Sequence, residues 1–310
     1  MKFHHLCTLV LVAVWLAIPP VTAAPQNGAK LYASPDEAVA ALIAAVNAND
    51  TAALQVIFGP ALADITSSEP AQAAEELKQF GARLNESHQI TKDSATRAEL
   101  EVGEEQWPFP VPLVETDGRW FFDTAAGREE IINRRVGRNE LSALQSARAY
   151  VEAQREYASR DRDDDGVLEY AQKFMSSPGT KDGLYWPEDL DGEQSPMGPL
   201  IAAAQSQGYL TNAPDSSATP RPFRGYCFRI LTRQGKNAPG GEYDHIINGN
   251  MIGGFALLAY PATYGESGIM TFIVNQQGRV YQKNLGPDTE KLAANITTYD
   301  PDKTWTLSPD

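Results

Sequence analysis

The spacing of apolar residues changes from a helical period to strand alternation twice along this chain. Ser34-Pro35-Asp36-Glu37 forms a capping box with proline in the first turn, and apolar residues then recur at helical intervals from Val39 to Val46. Further helical segments are expected up to residue 85, and short strands between His88 and Phe122. Because the helices precede the strands as a block, we expect an α+β fold with antiparallel sheets.

The same order is repeated in the second part of the chain. The composition of residues 125–174 predicts the longest helix. Residues 176–222 are rich in Gly, Pro, Ser and Asp and indicate irregular structure, with a short helix near residues 200–207. Strands are then expected at residues 225–232, 254–260, 268–274 and 279–283, as a four-strand antiparallel meander.

Turn residues and prolines refine the first predicted sheet. Asp117-Gly118 is a strong hairpin signal between strands at residues 109–115 and 119–122. Trp107-Pro-Phe-Pro-Val-Pro has too many prolines for a central strand, so we expect this segment at a sheet edge.

The first 23 residues have the pattern of a secretory signal peptide. Lys2 precedes an apolar run from Leu6 to Ile18, and small residues end at Ala23. The run is too short for a membrane helix, which needs about 20 apolar residues, and no later segment approaches that length. We therefore expect cleavage after residue 23, a linker over residues 24–33, and a periplasmic or secreted protein without a transmembrane segment.

Charge and cysteine content exclude several classes of protein. Removal of residues 1–23 takes Lys2 from the 26 basic residues and none from the 40 acidic ones, which leaves a net charge of about −15. Such an acidic chain is a poor ligand for nucleic acid. Cys227 alone remains after cleavage, so an intramolecular disulfide and a cysteine-cluster zinc site are both excluded. Cys227 is expected to be a buried strand residue.

The strongest local motif is an acidic segment from Asp161 to Glu169. Asp161, Asp163 and Asp165 occupy positions 1, 3 and 5 of a calcium-loop template, Gly166 supplies the turn, and position 9 is acidic. The template fails at position 12, where Gln172 stands instead of glutamate. The predicted Ca²⁺ ligands are the side chains of Asp161, Asp163, Asp165 and Glu169 with the Val167 carbonyl. The alternative is a helix end that uses its aspartates in Asx turns.

Two further clusters invite a functional interpretation, and each has a structural alternative. Five arginines of the predicted long helix could line an anion-binding groove or form ion pairs between domains: Arg128, Arg134, Arg135, Arg138 and Arg148. Five aromatic residues could line the concave face of a curved sheet or form its core: Trp107, Phe109, Trp120, Phe121 and Phe122. We favour the structural alternative for both.

Catalytic motifs are scarce. His88 and His245 are the histidines that remain after cleavage, and no Gly-x-Ser-x-Gly elbow, phosphate loop or dinucleotide fingerprint is present. A glycosidase-type carboxylate pair is compatible with 40 acidic residues, but no spacing singles one out.

The layout of each half resembles a known fold. Residues 34–124 resemble the cystatin-like α+β roll of nuclear-transport-factor-2-like domains. Residues 125–310 resemble the soluble head of type IV pilins, through a helix beginning at Asn139, the strand Gly225-Tyr-Cys-Phe-Arg-Ile-Leu and the hairpin after Gly268. Pilins carry a hydrophobic helix at the mature N-terminus, and this chain has the roll there instead.

The whole mature chain resembles the bacterial exported family catalogued as domain of unknown function 2950. The motifs that carry this resemblance are Trp107-Pro-Phe-Pro-Val-Pro-Leu, Arg119-Trp-Phe-Phe-Asp-Thr-Ala-Ala-Gly-Arg-Glu-Glu-Ile, Arg155-Glu-Tyr-Ala-Ser-Arg-Asp-Arg-Asp, Asp182-Gly-Leu-Tyr-Trp-Pro and Gly253-Gly-Phe-Ala-Leu-Leu-Ala-Tyr-Pro-Ala. The resemblance implies an envelope or secreted location in Gram-negative bacteria and brings no activity.

Two functional hypotheses follow. The first is a non-enzymatic structural or interaction module that docks on another envelope protein, with a loop that calcium stabilises. The second is a small-ligand-binding protein or enzyme that uses the concave face of the roll. An open cavity beside Trp107 and Trp120 would favour the second hypothesis, and a cavity filled by aromatic side chains would favour the first.

Overall fold

The computed structural model describes residues 28–162, 164–187, 192–201 and 222–309. The predicted signal peptide and most of the predicted helix at residues 200–207 lie outside these ranges. Within them, no helix combines the length and apolar character needed to cross a bilayer.

Four helices come first: α1 (Pro35–Asn47), α2 (Thr51–Phe58), α3 (Leu62–Ile65) and α4 (Pro70–Glu86). The side chains of Ser34 and Asp50 cap α1 and α2 by accepting backbone N–H groups of Glu37 and Ala53. At the end of α2, Gly59 has a φ of 69°, a conformation that glycine adopts without steric cost. The predicted cap by Ser34 at the start of α1 is confirmed by its bond with Glu37.

Five antiparallel strands follow: β1 (His88–Lys92), β2 (Arg97–Val102), β3 (Trp107–Pro108), β4 (Leu113–Thr116) and β5 (Arg119–Phe122). The strand order is β1-β2-β4-β5, and β3 pairs with β2 beyond the end of β4. Asp117 and Gly118 both have positive φ, as the predicted hairpin turn requires. The strand predicted at residues 109–115 begins only at Leu113, because Pro110 and Pro112 lack the N–H that a ladder needs.

Helix α5 (Thr124–Tyr157) is 34 residues long and packs against both halves of the protein. Its first turns lie against the N-terminal unit: a Cβ on Gly127 would lie 2.8 Å from the Val111 Cα atom. Its later residues Ala143, Ala147, Tyr150 and Val151 belong to a second core. The prediction of helix to residue 174 is wrong, because the chain turns at Asp164 and Gly166, both of which have positive φ.

The second sheet contains β6 (Tyr226–Leu231), β11 (Ala256–Pro261), β12 (Met270–Asn275), β13 (Tyr281–Asn284) and β14 (Thr306–Leu307). Its strand order is β14-β13-β12-β11-β6, and all pairs are antiparallel. It has five strands rather than the predicted four, because Thr306–Leu307 pairs with the last predicted strand.

Two short hairpins and one helix complete the described elements. The hairpins pair β7 (Arg233–Gln234) with β8 (Tyr243–Asp244), and β9 (Ile246–Ile247) with β10 (Asn250–Met251). Helix α6 (Thr289–Asn295) follows β13.

Three hydrophobic clusters stabilise the fold. One lies between the helices and sheet of the N-terminal half and includes Leu42, Leu100 and Phe122. The other two cover opposite faces of the second sheet: Phe272 packs on the side of α5, and Ile273 packs on the side of α6. Because both faces are covered, every residue of β11 is buried. The predicted α+β class is confirmed.

Candidate functional site

The acidic segment forms a tight loop directly after α5. The Asp161 carboxylate accepts the backbone N–H of Asp164 at 2.9 Å and that of Gly166 at 2.8 Å. The Asp165 carboxylate accepts the N–H of Val167 at 2.8 Å. These are Asx-type turns, which use the aspartate side chains to close the loop on itself.

The loop is fastened to the β9–β10 hairpin. Asp165 also accepts a hydrogen bond from the Asn250 amide at 2.9 Å, and Glu169 accepts one from the Met251 N–H at 2.8 Å. Gln172, at the twelfth template position, donates to the Gly249 carbonyl at 2.6 Å. Two predicted ligands, Asp165 and Glu169, and the residue at the twelfth template position, Gln172, therefore bind the hairpin.

These contacts agree with the Asx-turn alternative. In the described ranges, no three His, Cys, Asp or Glu side chains are grouped so that they could hold a metal ion. Asp163, the central predicted ligand, lies outside the described residues. Calcium binding by Asp161, Asp163, Asp165, Val167 and Glu169 therefore stays a prediction.

Exposed apolar side chains lie on the hairpin and on the loop bound to it. Leu168 is 59% exposed, Ile247 45% and Ile252 44%. Ile246 and Met251, which pair with each other across the hairpin, pack into the core on the side of α5, whereas Ile247 pairs with Asn250. We call Leu168, Ile247, Ile252 and the acidic loop at residues 161–169 the loop–hairpin surface.

The arginines of α5 mostly form ion pairs. Arg135 is 4% exposed and pairs with Glu76 of α4, which also binds Arg138 at 2.9 Å. Arg134 pairs with Glu130, and Arg148 also has a partner. Arg128 and Arg135 border a shallow cleft of about 340 Å³ with Asp64 and Glu266, so acidic groups face the basic ones. The arrangement supports the ion-pair alternative.

Buried polar groups connect the two halves where α5 passes between them. The Asn139 side chain accepts from the Gln72 amide at 2.7 Å and donates to the Ser267 carbonyl at 2.9 Å. The Glu140 carboxylate accepts the N–H groups of Ile269 and Met270, each at 2.9 Å. We call these contacts the junction.

Glu69 also belongs to the junction. Its carboxylate accepts the N–H of Gly225 at 2.9 Å, and burial raises the pKa of this carboxyl to about 7 although the hydrogen bond opposes the shift. The sequence analysis missed Glu69, Gln72 and Asn139. Their local pattern is that of ordinary helix residues, so periodicity carried no signal for them.

Aromatic residues in and beside the first sheet pack against Phe58 of α2 and Phe80 of α4. Phe109 stacks on Phe80 at 4.9 Å between ring centres and lies 6.2 Å from Phe122. Phe58 lies 5.3 Å from Phe122, and Trp120 is 7% exposed. Only Trp107 of the five predicted aromatics is well exposed, and its indole donates to Glu105. These rings form core, as the structural alternative expects.

The remaining reactive side chains, Cys227, His245 and His88, lie on separate segments of the chain; the first two are buried and His88 is exposed. Burial raises the pKa of the Cys227 thiol to about 11, so the thiol stays protonated. Burial lowers the pKa of His245, whose Nδ1 atom lies 3.4 Å from the Leu231 carbonyl oxygen. His88 contacts the Leu84 carbonyl. Cys227 is a buried strand residue, as predicted.

Comparison with known proteins gives a family and no further relative. No curated protein and no solved structure matches the chain. The cystatin-like and pilin-like resemblances of the two halves therefore stay predictions. A family model matches residues 29–307, which is nearly the whole chain, and the protein belongs to the family described as protein of unknown function DUF2950.

Proposed function

We propose that this protein is a non-enzymatic interaction module of the bacterial envelope that docks on another envelope protein. The observation that carries the proposal is the packing of Phe58, Phe80, Phe109 and Phe122 into one aromatic core. A ligand-binding roll needs an open concave face, and here the rings occupy that space. The exported location is part of the proposal and rests on the signal-peptide pattern.

The loop–hairpin surface is the proposed docking site. It combines exposed Leu168, Ile247 and Ile252 with the carboxylates of Asp164 and Asp165, and exposed apolar groups beside charged ones are typical of interaction sites. Charge complementarity identifies the occupant as a protein with an apolar surface bordered by Lys or Arg. Gln154, Asn250 and Met251 hold the loop in place, which lowers the entropic cost of docking.

Site-specific photo-crosslinking in intact cells tests this proposal. A crosslinking amino acid at Ile247 should yield one discrete adduct, identified by mass spectrometry, and the same probe at Val56 on α2 serves as the control because Val56 is 52% exposed. Asp164→Lys, which leaves the hydrogen bonds of Asp161 and Asp165 in place, should abolish the adduct at Ile247 without changing the melting temperature by more than a few degrees. An adduct that survives the charge reversal, or the same adduct at both positions, contradicts the proposal.

A second experiment tests the alternative function. Screening a metabolite library by ligand-observed NMR against the wild-type protein and Trp120→Leu asks whether the N-terminal roll binds a small molecule. Under our proposal no compound shows binding that Trp120→Leu removes. A compound that does so would favour the small-ligand hypothesis.

A further inference from the structure

The α6 side of the second sheet contains a cavity of about 430 Å³ that shares no residue with the loop–hairpin surface. It lies between the end of β13, the last turns of α6 and the segment at residues 297–305. Cavities of about 300–1,000 Å³ are the usual size for small-ligand sites. This one is open to solvent along one side.

The cavity has an apolar floor. The apolar side chains that line it are those of Ile273, Leu285, Leu292, Ile296 and Trp305. Leu292 is 43% exposed. The half-buried indole of Trp305 offers the largest flat surface. A flat aromatic ring beside aliphatic side chains suits a ligand with one face of C–H groups.

The rim of the cavity carries unfilled hydrogen-bonding capacity. The Asn295 amide donates to the Lys291 carbonyl, which leaves its oxygen available, and the Asn284 oxygen accepts from Gly286, which leaves its NH₂ group. Within the described part of the chain, the hydroxyls of Thr297 and Thr298 make no side-chain hydrogen bond. A purely apolar ligand would bury these groups without partners, which is unfavourable.

The charged groups at the cavity are already engaged. Asp300 accepts the backbone and side-chain N–H groups of Asn237 at 2.8 and 2.9 Å. The Lys283 ammonium donates to the Thr304 hydroxyl at 2.8 Å and lies 5.8 Å from the centre of the Trp305 ring. One positive and one negative group, each with a partner, leave no net charge to attract an ion.

We propose that this cavity binds a short neutral saccharide. A pyranose ring has a face of C–H groups for Trp305 and Leu292, and hydroxyls around its edge for Asn284, Asn295 and Thr298. An uncharged ligand with one apolar face and many hydroxyls matches the floor, the rim and the charge balance together. The inference does not depend on the docking proposal.

Binding of cellobiose and N,N′-diacetylchitobiose to the purified mature protein tests the inference, by saturation-transfer-difference NMR and by tryptophan fluorescence titration. At least one of the two sugars should bind saturably, and Asn295→Ala and Thr298→Val should each weaken its binding about tenfold. Trp305→Ala should abolish it. Trp107→Ala, which removes an exposed tryptophan of the N-terminal unit, should leave the affinity unchanged.

The rim variants keep the test decisive if Trp305→Ala does not fold, because Asn295 and Thr298 lie outside the hydrophobic core. Two results overturn the inference: no saturable binding of either sugar, or binding that Asn295→Ala and Thr298→Val leave intact. Binding of indole or phenol with no response to either sugar would also overturn it, since an aryl site needs no polar rim.

Discussion

At the scale of single residues, two side chains hold the chain in place after α5. Gln154 is fully buried, donates to the Tyr150 hydroxyl and the Ala171 carbonyl, and accepts the Ala171 N–H. Asp161 closes the acidic loop with two backbone N–H groups. These two residues explain why the chain folds back toward the second sheet instead of continuing as helix.

Gln154→Leu should destabilise the protein by about 3 kcal/mol, because it leaves the buried N–H and C=O of Ala171 without partners. Chemical denaturation measures the free energy of unfolding. Gln145→Leu is the matched control, since Gln145 is exposed on the same helix, and it should change that free energy by less than about 0.5 kcal/mol. Equal effects of the two substitutions would show that the network around Gln154 contributes little.

The two interpretations of the acidic loop make different predictions for melting temperature. Asp161→Ala should lower it by a few degrees even in chelator, because two backbone N–H groups lose their acceptor at about 1 kcal/mol each. If the loop also binds calcium, saturation at 100 times the dissociation constant stabilises the wild type by about 2.7 kcal/mol, and Asp163→Ala removes this gain. A wild-type melting temperature that is identical in calcium and in chelator would refute the calcium site.

Glu69 predicts a pH dependence of stability. Its pKa in the folded protein is about 7, above the ordinary value of 4.5, so the folded state holds a proton that the unfolded state has lost between these two values. Stability should therefore fall as the pH rises from about 4.5 to about 7, and the loss should be complete above pH 7. Urea denaturation of wild type and Glu69→Gln across this range measures the effect.

Glu69→Gln keeps an oxygen that accepts the Gly225 N–H and removes the titration, so its stability should change less over this pH range. Glu129→Gln on the exposed side of α5 is the control for loss of one negative charge in an acidic protein. If both variants follow the wild-type pH profile, Glu69 does not govern it.

At the scale of elements, sequence pattern located most helices and strands but not all of their ends. The cap at Ser34 gave the start of α1, whereas the start of α5 was expected from composition alone and the structure adds a cap by Asp123. The Asp117-Gly118 dipeptide predicted a hairpin, and both residues have the positive φ that its turn requires. The end of α5 was missed because the helix was extended through the acidic segment, although its four aspartates and Gly166 disfavour helix. Hydrogen bonds between Gln154 and Ala171 then fix the path of the chain after the loop.

The candidate site was predictable only in part. The acidic segment is a local motif, so its position was visible, but its attachment to Asn250 and Met251 joins residues more than 80 positions apart. The aromatic cluster was visible as composition, whereas its role as core depends on Phe58 and Phe80 from the helices packing against it. The cavity beside α6 brings together β13, α6 and the C-terminal segment, and no local sequence pattern indicated it.

At the scale of the whole molecule, α5 and the junction couple the two halves. Asn139 bonds with Gln72 on one side and with Ser267 on the other, and all three residues are buried. Hydrogen bonds from one helix to both halves limit their movement relative to each other. Limited movement is compatible with the proposed interaction module, whereas an enzyme that closes over a substrate needs mobile elements.

A double-mutant cycle with Gln72→Ala and Asn139→Ala tests this coupling. The two residues are in direct contact, so their effects on the free energy of unfolding should be non-additive by about 1 kcal/mol. The pair Asn47→Ala and Asn85→Ala, whose side chains bond each other within the N-terminal unit, provides a matched cycle. We expect Asn139→Ala alone to split thermal unfolding into two calorimetric transitions, while Asn85→Ala keeps the wild-type profile. Full additivity at Gln72 and Asn139 would remove the junction as a source of coupling.

The sequence by itself determined the α+β class, the order of most helices and strands, the capped start of α1 and the family. These features depend on residues within a few positions of one another, where periodicity, caps and turn residues act directly. Only the tertiary structure decided that most aromatic residues of the first sheet are core, that α5 ends at Tyr157, and that Glu69, Gln72 and Asn139 join the halves. Those outcomes depend on burial and on hydrogen bonds between distant segments, such as Glu69 with Gly225, and distant partners leave no mark on local spacing.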